Sequence, residues 1–169
     1  MPAVKPEDCW KVLQQINEWI RFADAKAVAI LAASGLLGGL VVKSIPAHQE
    51  LFRHPVRTLL LAFAMICVGS SSLIAIRTVA PRLRAGETRS LVYFEHIARR
   101  YANDRNAFVD NFLGLGSDDV LARQAAEQVW ANSIVARRKF RRVAYAMWLL
   151  AFAMIGSGLA VAVGRLWDW

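Results

Sequence analysis

The chain is poor in the residues from which catalytic and metal sites are usually built. Its 169 residues include two cysteines, Cys9 and Cys67, and three histidines, His48, His54 and His96. Two lone thiols, one of them inside an apolar run, give neither a disulfide framework nor a zinc spacing, and they suit a reducing compartment. The histidines show no metal-ligand spacing. No P-loop, GxGxxG, Ser/His/Asp set, Cys/His set or paired carboxylates are present, so the sequence predicts no enzyme, no cofactor and no metal. No useful length alternates with period two, which argues against strands. The opening "MPAVKPEDCWKVLQQINEWIR" has acids and amphipathic spacing instead of the basic start, apolar core and cleavage site of a signal peptide. The first apolar run is therefore expected to stay as an anchor.

Apolar residues are plentiful instead. They make up 56% of the chain, and mean hydropathy is positive, which is too apolar for a soluble domain of this length. Three runs are long enough to cross a bilayer, at 27–43, 58–77 and 143–164. Basic residues outnumber acids by 21 to 13, for a net charge of +8. No nucleic-acid motif accompanies this excess, so a topological reading is preferred to RNA or DNA binding. Most of the arginines, from Arg82 to Arg142, fall in 78–142. The positive-inside rule puts that segment and residues 1–26 in the cytoplasm, with 44–57 and 165–169 outside. Trp167 and Trp169 suit the outer interface.

Breakers and caps divide this plan into helices. Pro6 sits where a helix start tolerates it, and nothing then interrupts as far as residue 42. Pro46 and Pro55 mark an external hairpin, and the second span should end near Pro81. A cytoplasmic helix is expected over 87–112, followed by a turn at "LGLGS". Ser117 reads as an N-cap before Asp118 and Asp119, opening one long helix that continues through the third span. The expected fold is an all-α integral membrane protein. Three transmembrane helices carry long cytoplasmic extensions that form a four-helix bundle.

Polar residues interrupt the expected inward stripes. On the first helix the stripe runs Trp10, Leu13, Asn17, Ile20, Asp24, Ala27. On the second cytoplasmic helix it runs Leu91, Phe94, Ala98, Tyr101, Arg105, Phe108, Phe112, and on the long helix Leu121, Ala125, Gln128, Asn132, Val135, Lys139, Arg142. Buried polar groups are costly unless paired. One account is a set of interhelical hydrogen bonds that fix register. The other is a polar cavity for a cytoplasmic ligand. In that cavity Arg105 and Lys139 face a phosphate, Asn17, Gln128 and Asn132 face a base edge, and Tyr101 or Phe94 stacks. Asp24 of "FADAKA" lies on the stripe and is expected to pair with Lys139, Arg142 or Arg21. Lys26, about 200° further round, is expected to reach the headgroups. Gly35 with Gly39, and Gly156 with Ala160 and Gly164, read as helix-contact faces, within one chain or between chains. The serines of "GSSS" at 69–72 are expected to bond back to their own helix. No charge lies deep in a span and no half is repeated, which argues against a coupled transporter.

"NEWIRFADAKAVAILAASG" at 17–35, "YFEHI" at 93–97 and "EQVWANSIVARRKF" at 127–140 resemble the transmembrane effectors of Pycsar antiphage systems, the PycTM family. The resemblance covers nearly the whole chain and includes the order of its segments. It implies a multi-pass inner-membrane effector that responds to cCMP or cUMP made by a partner cyclase on infection. The effector then compromises the membrane, so that the host dies before phage matures. The partners implied are the cyclic pyrimidine nucleotide and the lipid bilayer, and the chain is expected to form a homo-oligomer. The alternative is a non-enzymatic membrane scaffold whose cytoplasmic bundle recruits a protein. A constitutive channel is disfavoured, because no span carries a convincing polar stripe.

Overall fold

A computed structural model describes residues 6–45, 53–80, 91, 93–114 and 118–167, the side chains of Phe94 and Trp167 excepted. Among them every regular element is a helix: α1 (Pro6–Lys43), α2 (Pro55–Val79), α3 (Phe94–Arg100), α4 (Arg105–Leu113) and α5 (Asp118–Trp167). Local chemistry accounts for the ends. Pro6, Glu7 and Asp8 open α1, and Lys43 closes it where a cation meets the negative helix end. Pro55 opens α2 in its first turn. At the far end Ala80 turns extended, as a residue before proline must, while its N–H still reaches the Ile76 carbonyl at 2.8 Å. Asp118 and Asp119 occupy the first turn of α5. The expected cap Ser117, the rest of residues 115–117 in the "LGLGS" turn, Pro46, Pro81 and Trp169 lie outside the described residues.

α1, α2 and α5 are each long and apolar enough to cross a membrane. At 1.5 Å per residue α1 reaches about 57 Å and α5 about 75 Å, against a hydrocarbon core of about 30 Å. The helix expected over 87–112 is instead broken. Residues 101–104 interrupt it, and Asp104 starts α4 by accepting a hydrogen bond from the Ala107 N–H at 2.9 Å. Asn and Asp compete with the helical backbone in this way, so Asn103–Asp104 makes a turn where apolar spacing alone suggested continuity. The four expected helices become five among the described residues.

The chain forms two compact units. The first comprises Met1–Phe22 with Pro81–Arg138, and the second Ala23–Ala80 with Lys139–Trp169. The second unit is packed on small side chains. Its buried clusters are Ala23, Ala27, Ile30, Ala75, Val143 and Ala146, then Val41, Leu61, Ala64 and Ala160, then Cys67, Val68 and Ala153. Bulky residues point away, with Leu36 at 76% exposure and Trp148 at 64%. Lipid tails are as apolar as leucine, so large side chains gain little by turning inward, whereas small ones let backbones approach. Ala153, Gly156, Ala160 and Gly164 share one buried face of α5. A Cβ on Gly156 would lie 3.2 Å from the Phe63 ring and 3.6 Å from the Leu60 carbonyl.

Two expectations are corrected here. Gly35 and Gly39 do not face a neighbouring helix of the same chain, since a Cβ on either would meet nothing within 4 Å, which leaves them for the contact between chains that was the other expectation. Gly38 does, 3.3 Å from Val68. Ser71 does not bond back to its own helix. Its hydroxyl donates to the Ala146 carbonyl of α5 at 2.8 Å and accepts from the Ser34 hydroxyl of α1 at 3.3 Å. Both serines are fully buried, so this chain ties three helices together at a depth where water cannot substitute.

The two glycine classes should respond differently to bulk. Gly156→Leu is expected to lower unfolding stability in detergent by about 1–3 kcal/mol through overpacking. Gly35→Leu should stay within about 0.5 kcal/mol. Thermal unfolding followed by circular dichroism checks both.

Candidate functional site: the polar seam

In the first unit the polar residues join as an amide chain. The Asn132 side-chain amide donates to Asn17 Oδ1 at 2.8 Å, linking α5 to α1. Gln128, one turn earlier on α5, donates to Asn132 Oδ1 at 3.1 Å. A further turn back, Gln124 accepts the backbone N–H of buried Leu91 at 3.2 Å. Asn132 thus uses its amide on both sides. Asn17 is left with its NH2 group and Gln128 with its carbonyl oxygen. Together these are the donor and acceptor that a planar, uncharged edge would need.

Burial places these groups differently from the expected stripes. On α1 the buried residues are Leu13, Ile16, Ala23, Ala27, Ile30, Ser34 and Val41, with Ile20 and Leu37 half-buried between them. Steps of three and four alternate along the whole helix. Asn17 lies just off this seam and is exposed, as is Trp10. On α5 Ala136 is buried where Val135 was expected, and Val135 is exposed. Gln128 and Asn132 are half-buried, as the stripe predicts.

Tyr101 and Arg105 flank the break between α3 and α4. The Tyr101 ring packs edge-on against Phe108 at 5.5 Å, with the Arg100 guanidinium 5.2 Å from its centroid. Its hydroxyl is buried and finds no hydrogen-bond partner among the described residues. A buried hydroxyl without a partner costs free energy, so it is an unmet polar demand among the described residues of this unit. Arg105 is exposed at the start of α4 and makes no ion pair among the described residues. No hydrogen bond among them joins either residue to the amide chain. The Phe94 side chain lies outside the described set.

In the second unit Asp24 of α1 meets Lys139 of α5. The ammonium reaches both carboxylate oxygens, 2.7 Å from Oδ2. Lys139 is 19% exposed and Asp24 34%. Of the three basic partners expected for Asp24, the structure selects Lys139. Arg142 instead points a guanidinium nitrogen at the Arg77 carbonyl at 3.5 Å. Lys139 therefore belongs to an interhelical ion pair and not to the amide chain. Lys26 is exposed. Asp24 is the one acid among the described residues of this unit, so Lys139 has no substitute partner there.

A family model described as "Pycsar effector protein domain" matches residues 8–164. The Pycsar effector protein MePycTM of Micromonospora echinofusca is 56% identical over 59 residues, which are 34% of this chain and all of that protein. The Pycsar effector protein PtPycTM of Propioniciclava tarda is 29% identical over 141 residues, 79% of this chain and 67% of that protein. No solved structure matches.

The ion pair should be worth more than a surface pair and less than a fully buried one, because water screens part of it. Asp24→Ala and Lys139→Ala are each expected to cost about 1–2 kcal/mol. A double-mutant cycle on thermal unfolding should return a coupling of about 1 kcal/mol.

Proposed function

The chain belongs to the PycTM family of Pycsar effector proteins, and from that premise we propose that it is the membrane effector of a cyclic-pyrimidine-nucleotide antiphage system. A cyclase partner supplies cCMP or cUMP during infection. The nucleotide binds the cytoplasmic part of the effector, the spans repack, the inner membrane loses integrity and the infection aborts. The protein catalyses no reaction in this scheme. The observation that carries the reading is the family match, which runs through all three apolar helices and the insert between the second and third.

The physical features are compatible with it. By the positive-inside rule, the arginine-rich 78–142 and the N-terminus are read as cytoplasmic, the side on which a cyclase product is made. A net basic chain attracts a cyclic monophosphate. In the first unit the free NH2 of Asn17 and carbonyl of Gln128 suit a pyrimidine edge, the buried Tyr101 hydroxyl lacks a partner, and Arg105 is unpaired among the described residues. Lys139, held by Asp24, is assigned to helix pairing and not to the phosphate. Activation is a population shift: the nucleotide binds an active span packing better than the one described here. Because the resting contacts among the described residues are mostly small-residue faces, with one serine chain and the Asp24–Lys139 pair, an alternative packing or assembly with further copies costs few specific interactions.

The amide chain also favours a second reading. Asn17, Asn132 and Gln128 already bond to one another, as register-fixing groups would, and such a bundle could serve as a scaffold for a protein partner.

Dye-loaded vesicles containing the protein separate the two. Leakage is expected with cUMP or cCMP and not with cAMP or cGMP. Absence of both leakage and binding with all four would leave the scaffold. Asn132→Ala and Arg105→Ala should each weaken nucleotide binding by about tenfold or more while the protein stays folded. Normal binding by both variants would place the site elsewhere.

A further inference from the structure

The second unit has two charges that the effector scheme does not use. Arg57 lies in the first turn of α2 and Arg165 in the last turn of α5. Both line one cavity of about 150 Å³, with Ser44, Leu61, Ala160 and Gly164. Asp24, the one acid among the described residues of this unit, is committed to Lys139. Neither arginine has an ion-pair or hydrogen-bond partner among the described residues, and Arg57 is half-buried. A desolvated guanidinium without a counter-ion is unfavourable. Its place worsens this, since a cation at a helix N-terminus opposes the helix dipole and the first turn of α2 holds no acid.

Arg57 is also held in position. Its guanidinium lies over the bare face of Gly164, where a Cβ would come within 3.2 Å of Cζ and 3.3 Å of Nε. The glycine lets the arginine lie along α5.

The charged cavity continues into an apolar groove. Ser44, Leu61 and Val161 line both, and the groove, of about 440 Å³, is walled further by Leu37, Leu40 and Met154. Its floor is open at Gly158, where a Cβ would meet nothing within 4 Å. An anion-seeking head beside an apolar trough, at the end of three helices long enough to cross a bilayer, has the chemistry of an amphiphile with a phosphate head.

We propose that this end of the second unit binds one phospholipid, its phosphate between Arg57 and Arg165 and one acyl chain along the trough. Arginine suits the head, because its planar fork meets two phosphate oxygens at once. The site is independent of the nucleotide reading.

Native mass spectrometry of the full detergent-solubilised chain, titrated with phosphatidylglycerol, tests it. One lipid per chain is expected to be retained. Arg57→Gln with Arg165→Gln should weaken retention by about tenfold or more. Gly158→Leu, which fills the trough and leaves the charges in place, should do the same and keeps the test decisive if the double variant fails to fold. Diacylglycerol and inorganic phosphate, carrying one half of the chemistry each, should bind at least about tenfold more weakly than the whole lipid. Unchanged retention in the folded variants would overturn the proposal. So would diacylglycerol or inorganic phosphate binding as well as phosphatidylglycerol.

Discussion

The second unit depends on how closely its helix backbones approach. In hydrocarbon no water is expelled when apolar faces meet, so association must come from contact and from polar groups with nowhere else to go. The Ser71 hydroxyl reaches the Ala146 carbonyl at 2.8 Å because alanine, serine and glycine occupy the facing positions. The outward position of Leu36 and Trp148 is the other half of the same arrangement. Much of the packing is then small-residue contact, which is tight but chemically undemanding. Spans built this way can exchange one set of neighbours for another at modest cost, a property that an effector acting by repacking requires.

Charge is used sparingly and locally. Asp24 and Lys139 close one interhelical pair, while Arg57 and Arg165 are left without a protein counter-ion among the described residues. Among the described residues of the first unit amides make the ties between elements, Asn132 to Asn17 and Gln124 to the Leu91 backbone, with Gln128 extending the chain along α5. Neutral amides cost less to bury than ions and still have a spare donor and acceptor.

The spans were legible because their signals are strong. Unbroken apolar runs, Pro6, Pro55 and the acids at 118–119 define α1, α2 and α5 closely. Register was less so. The expected α1 stripe shares Leu13, Ile20 and Ala27 with the observed seam but took Trp10 and Asn17, which are exposed. The true seam passes through Leu13, Ile16, Ala23 and Ala27, where small residues count as interior. On α5 the stripe likewise took Val135, which is exposed, where Ala136 is buried. The helix at 87–112 failed for another reason, since Asp104 offers a cap that periodicity does not register. Of the candidate ligand residues, Asn17, Gln128 and Asn132 are hydrogen-bonded to one another. Lys139 was among the three partners expected for Asp24, and the structure selects it; spacing alone did not show that a turn separates Tyr101 from Arg105.

The central claim is that membrane disruption requires the spans to leave the packing that joins Ser34 to Ser71. Cysteines at these two positions, in a Cys9→Ser, Cys67→Ala background, would lock α1 to α2 by a disulfide. The account predicts that oxidised protein in vesicles binds the cyclic pyrimidine nucleotide but releases no dye, and that a reductant restores release. Full nucleotide-triggered release from the locked protein would contradict it.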